Sequence, residues 1–136
     1  IKIYDCFMFS DENLLLDLRL NSLNEFVDKF IIVEAAYLHN GESKKLNFDI
    51  NNFKKFKDKI HYIIVEDQPP KIVPFKKEDS KTKESEKKII NSIMRDNFQR
   101  EQLMKGLKNL ENEDLIILSD FNNQIKKTKE ILRTKI

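Results

Sequence analysis

The chain is punctuated by apolar runs of strand length: IKIYDCFMF at its start, FIIVEAA from Phe30 to Ala36, a third from Ile60 to Val65, and LIIL from Leu115 to Leu118. The segments between them carry helical spacing instead. Strands alternating with helices predict βαβ units, hence an α/β fold with a mainly parallel sheet covered by helices. In the first run nearly every position is apolar, as expected of an interior strand buried on both faces. The lone Cys6 falls within that run and reads as core packing.

The connecting segments can be read one by one. SDEN supplies a candidate N-cap, Ser10, and two acids for a first helical turn. Leu16, Leu20, Leu23 and Val27 then recur at steps of four and three, predicting one apolar helix face between about residues 12 and 28. Phe53 and Phe56 in NNFKKFKDK suggest a short helix lying on the sheet. From Gln68 to Lys88 the chain turns charged and poor in apolar residues, which predicts a mobile surface loop or lid. A long helix is expected from about Ser85 to Leu110, with Ile89, Ile93, Phe98, Leu103, Leu107 and Leu110 facing inward.

Length and composition narrow the function classes. A chain of 136 residues with 40% hydrophobic content fits one domain with a modest core. Lys+Arg 25 against Asp+Glu 23 leaves +2, so the charged residues make a mixed, solvated surface with no nucleic-acid footprint. No apolar run approaches the ~18 residues of a membrane span, and no signal-peptide pattern opens the sequence. A single cysteine suits a reducing compartment, so the expected setting is soluble and cytoplasmic. The start at Ile1 without Met, and the basic helical stretch at the end, suggest a partial view of a longer protein.

In open α/β sheets, ligands gather outside the carboxyl ends of strands, where the loops diverge. Three acids stand near such places: Asp5 within the first run, Glu34 ending IIVE, and Asp120 ending LIILSD. An acid after a strand also serves as a turn or cap residue. Glu34 and Asp120 are expected on neighbouring strand ends facing one crevice. An Asp-x-Asp at a strand end holds Mg²⁺ or Mn²⁺ against a diphosphate through hard oxygen ligands. Asp120-Phe121-Asn122 is one carboxylate short of that pattern, although an asparagine carbonyl can still ligate a hard cation. Gln99 and Arg100 form a second polar pair on the long helix, and Arg100 could fork onto phosphate oxygens or pair with Asp96 one turn back. His39 and His61 lack the partners of a zinc site, and two glycines cannot supply a dinucleotide-binding loop.

Together these segments resemble the glycosyltransferase family 17 enzymes, the group of the β-1,4-mannosyl-glycoprotein β-1,4-N-acetylglucosaminyltransferases. KIYDCFMFSDENLLLDLRLNSLNEFVDKFIIVEA is similar to that family's opening block, HNGESKKLNF to its Gly-Lys-rich turn and FKDKIHYIIVED to its next strand. DNFQREQLMKGL resembles its Glu-x-x-Gln-Arg helix and LIILSDFN its Ser-Asp-x-Asp strand end. The resemblance implies a GT-A-like nucleotide-sugar transferase fold, here possessing only the N-terminal part of the domain. It also implies a UDP-GlcNAc-like donor, a glycan acceptor and a divalent cation, Mn²⁺ or Mg²⁺.

Carried over by position, Glu34, Gln99, Arg100 and Asp120 are the donor-binding residues, and Asp120 with Asn122 the metal ligands. Asp96 stands where the family has Glu, and no residue is identified as the catalytic base. Asn122-Asn123-Gln124-Ile125 replaces the family's Asp-Glu-Ile-Pro. Two expectations follow from that mismatch: residues missing between Asn122 and Asn123, or a true substitution that weakens metal binding. The alternative function is a catalytically inactive nucleotide-sugar or glycan binding domain.

Overall fold

The computed structural model describes residues 1–107 and 109–118. Strands β1 (Ile3–Phe9), β2 (Lys29–Ala35), β3 (Ile60–Val65) and β4 (Leu115–Leu118) form one sheet in the order β3-β2-β1-β4, with every pairing parallel. The chain steps outward from β1 to β3 and then crosses back to lay β4 on the other side of β1. That reversal puts β1 at the topological switch point of the sheet.

Helix α1 (Asn13–Leu23) covers one face and helix α2 (Lys81–Gln102) contacts the other. Because strand side chains alternate, Phe7, Phe9, Phe30 and Ile32 meet Leu16, Leu20 and Leu23 of α1, together with Phe53 and Phe56 of a 3₁₀ segment at Ile50–Phe56. Tyr4, Cys6, Ile31, Val33 and Ala35 face the opposite way, toward Leu103 and Leu107 beyond α2. Gly106 is required here, since a Cβ would sit 2.8 Å from the Ile31 Cγ2 atom. The interior position of the first apolar run, the sheet-covering short helix and the core role of Cys6 all match the sequence reading.

The helix boundaries and the inward face of α2 differ from expectation. Helix α1 starts at Asn13 after Glu12, so neither Ser10 nor the acids cap it by a side-chain bond or occupy its first turn. Helix α2 starts at Lys81 rather than near Ser85, because Ser80 supplies the cap: its hydroxyl accepts from the Lys83 N–H at 3.1 Å. Residues 81–88 of the expected loop are therefore helical. Ile89 and Ile93, expected inward, are 61% and 55% exposed, whereas Lys87, Asn91, Gln99 and Gln102 are buried.

The reason is the loop before α2. Asn91 accepts from the Val73 N–H at 2.8 Å and donates to the Val73 carbonyl at 2.9 Å. Lys87 donates to the Pro74 carbonyl and to Asp79. Backbone polar groups in this position require polar partners, so the inward row of α2 is polar at its N-terminal end. No helix among the described residues is long and apolar enough to cross a membrane.

Candidate functional site

The carboxyl ends of β1 and β2 open into a cavity of about 360 Å³ on the α2 side of the sheet. Small-molecule sites commonly occupy ~300–1,000 Å³. Met8, Phe9 and Ser10 contribute from the end of β1, and Tyr37, His39 and Lys44 from the chain that follows β2. Asp96, Gln99 and Arg100 close it from α2. One wall of the cavity is thus the carboxyl end of β1, the strand at which the order reverses, and open parallel sheets bind nucleotides beside such points.

The turn after β2 is held against α2 by a local device. Tyr37 bridges to Ser43 in antiparallel fashion, and Gly41 takes φ 91°, a left-handed conformation that glycine adopts without steric penalty. Arg95 lies directly over Gly41: a Cβ there would be 2.6 Å from its Nη2. The Arg95 guanidinium donates to the His39 carbonyl at 2.9 Å and to Gln68 at 2.7 Å, and Ser92 also donates to the His39 carbonyl. Glycine is thus needed where the loop meets the arginine, and the result is a fixed placement of His39 at the cavity.

Glu34 lies at the end of β2, in register with Phe9 of β1 and Ile64 of β3, and is fully buried. Its Oε2 accepts from Lys44 Nζ and the Asn47 N–H, and its Oε1 from the Phe48 N–H at 3.0 Å and the Tyr62 hydroxyl at 2.6 Å. Burial alone would raise this carboxyl, but the bonds from Lys44, Tyr62, Asn47 and Phe48 outweigh it and hold the group below its ordinary value. Tyr62 is pushed up by its burial and by Glu34. Phe48 seals the arrangement by packing on Tyr62, Phe53 and Phe9. Glu34 therefore does not line the cavity itself; it fixes one wall of it through Lys44 and the loop it anchors.

On α2, Gln99 is buried against the cavity, while Arg100 is half exposed and pairs with Asp96 at 3.0 Å. That is the intrahelical pair weighed as the alternative for Arg100, formed by a residue that also lines the cavity. The other Asp96 oxygen lies 4.0 Å from His39 Nε2.

Asp5 does not join the group. It points to the α1 face in mid-strand, where Arg19 grips it with bonds of 2.8 and 2.6 Å, and both are buried. Burial pushes its carboxyl up, and Arg19 opposes the shift. The Arg19 guanidinium also lies 4.3 Å from the Phe7 ring centroid. The strand of Glu34 and the strand leading to Asp120 are not neighbours, since β1 lies between β2 and β4. Asp120 and Asn122 themselves, and the break expected after Asn122, lie outside the described residues.

Lys44, Tyr37, His39 and Asp96 complete the cavity without having been marked as site residues by pattern. HNGESKK held the one usable signal, a lone glycine between polar residues directly after a strand. Among the described residues no group of three or more His, Cys, Asp or Glu side chains could hold a metal ion.

A helix-covered parallel sheet with a polar crevice at its switch point defines an α/β enzyme scaffold compatible with the GT-A-like transferases. The family model for glycosyltransferase family 17 matches residues 1–134, and the chain belongs to that family. No curated protein and no solved structure matches it. Family membership makes the domain a glycosyltransferase, a class that draws on a nucleotide-sugar donor and a glycan acceptor.

Proposed function

We propose that this domain transfers N-acetylglucosamine, or a closely related sugar, from a nucleoside diphosphate of the UDP type to a glycan hydroxyl, with the donor seated in the strand-end cavity. The observation that carries this reading is the convergence of Gln99 and Arg100, the polar pair of the family-like helix, on a crevice at the switch point. Arg100 turns its guanidinium fork from Asp96 to diphosphate oxygens, and Gln99 supplies a neutral amide for the ribose or sugar hydroxyls. Glu34 acts as a positioning residue that fixes the wall through Lys44. His39, held by its carbonyl, borders the donor on the other side.

Asp120 and Asn122 would hold a divalent cation, Mn²⁺ or Mg²⁺. Their carboxylate and amide oxygens are hard ligands, so the donor set fits in kind, with one negative charge fewer than a pair of acids. Such an ion, when bound, offsets charge developing on the leaving diphosphate. The same Asn122 favours a second reading, a domain that binds nucleotide-sugar without turnover.

Calorimetry with UDP, with and without Mn²⁺, combined with release of UDP from UDP-GlcNAc in the presence of glycan acceptors, separates these readings. Metal-strengthened binding with turnover supports the transferase. Binding without turnover supports the silent domain, and no UDP binding under either condition removes both.

A further inference from the structure

A second cavity, of about 310 Å³, lies against α2 and is lined by Asn40, Glu42, Phe75, Lys88, Ser92 and Arg95, with Asn91 at its base. It shares the turn after β2 with the first: His39 lines one cavity, Asn40 and Glu42 the other. We propose that this second cavity is a glycan subsite, in which the Phe75 ring stacks on the apolar face of a neutral pyranose while Asn40 and Glu42 bond its hydroxyls.

The first support is Phe75 itself. An aromatic ring left 53% exposed on a polar loop forgoes burial that would stabilise it, yet every position around it is tied down. Val73 exchanges a pair of bonds with Asn91, the Pro74 carbonyl accepts from Lys87 at 3.1 Å, and the Lys76 N–H donates to Asp79 at 2.8 Å. Asp79 is in turn bonded to Lys87 at 2.6 Å, a contact that holds its carboxyl low. The ring is thus mounted on a backbone stapled to α2 on both sides. Such preorganisation is useful for ligand binding and unnecessary for a solvated loop.

The second support is the balance of charge and free valence. Glu42 opposes Lys88 and Arg95 around the cavity, so neither a polyanion nor a polycation is favoured. Arg95 and Ser92 are committed to the His39 carbonyl, and Asn91 to Val73. Among the described residues the Glu42 carboxylate has no bonded partner, and the Asn40 amide uses only its oxygen, toward the Glu42 N–H. One acceptor and one donor beside an aromatic face match the vicinal hydroxyls and axial C–H face of a pyranose. The proposal rests on the reading that the domain acts on glycans, and it places a sugar across one turn from the donor cavity.

Saturation-transfer NMR of the whole chain tests it, using methyl glycosides of glucose, galactose, mannose and N-acetylglucosamine with UDP present in the same sample. The expected result is transfer to the ring protons of at least one glycoside, with affinity weakened about threefold to tenfold in Phe75→Ala, and weakened likewise in Glu42→Gln. UDP signals should be unchanged in both variants. Absence of transfer from every glycoside, or transfer equal in the parent and Phe75→Ala, overturns the subsite. Loss of the UDP signal alone would count against the donor reading and leave the sugar result to stand on its own measurement.

Discussion

Replacing Glu34 by glutamine tests how the cavity wall is held. The carboxylate is fully buried and accepts two bonds on each oxygen. Glutamine keeps one oxygen, so whichever way the amide turns, two former donors meet an NH₂ group instead of an acceptor. A hydrogen bond to a charged group contributes about 1.5–3 kcal/mol, and a buried donor left unpaired costs about 1–3 kcal/mol. Some relaxation of the Lys44 side chain toward the Ala35 and Lys45 carbonyls will recover part of this. The net expectation for Glu34→Gln is about 3–5 kcal/mol, a large share of the ~5–15 kcal/mol that stabilises a domain.

Urea denaturation followed by circular dichroism measures it, with Tyr62→Phe as a smaller step of about 1.5–3 kcal/mol, since it removes one bond to the carboxylate. The pH dependence has a definite sign. The folded carboxyl is held below its ordinary value of 4.5, so its stabilisation is present above that pH and is lost as the pH falls through the lowered folded value. The gap between parent and Glu34→Gln should narrow over that range. A Glu34→Gln protein within about 1 kcal/mol of the parent at neutral pH would refute the reasoning.

Gly41→Ala should destabilise by about 1–3 kcal/mol in the same assay, because φ 91° strains an alanine and its Cβ collides with Arg95. An unchanged midpoint would count against that contact. Asn91→Ala should speed exchange of the Val73 amide about tenfold or more in hydrogen-exchange mass spectrometry, since it removes both bonds that tie Val73 to α2. Equal protection would show that the loop is held otherwise. Cys6 should resist a disulfide reagent until urea unfolds the protein, because burial, its largest influence, together with Asp5 pushes the thiol up to about 12. Rapid labelling of the native protein would contradict its place in the core.

The sheet was legible because apolar runs without period require cover on both faces, and Phe7, Ile31 and Ile32 have that cover. The α1 face was equally plain, since Leu16, Leu20 and Leu23 carry the helical period onto one side. The inward face of α2 was not. Its polar row answers backbone groups of Val73 and Pro74, whose placement depends on tertiary contact, so Ile89 and Ile93 misdirect any reading by hydrophobicity. The role of Glu34 was hidden in a similar way. Its partners Lys44, Asn47, Phe48 and Tyr62 lie ten to twenty-eight residues further on, beyond any local spacing rule. Gln99 and Arg100 were singled out by type and family-like position, and the fold brings both to the crevice.

The central claim is that the strand-end cavity is the nucleotide-sugar donor site. Titration of the isotope-labelled protein with UDP in the presence of diamagnetic Mg²⁺, followed by backbone amide NMR, tests it most directly. The account predicts shifts concentrated at residues 8–12, 37–44 and 96–100, and their weakening in Gln99→Ala and Arg100→Ala. Shifts confined to other surfaces, or none at saturating UDP, would contradict it.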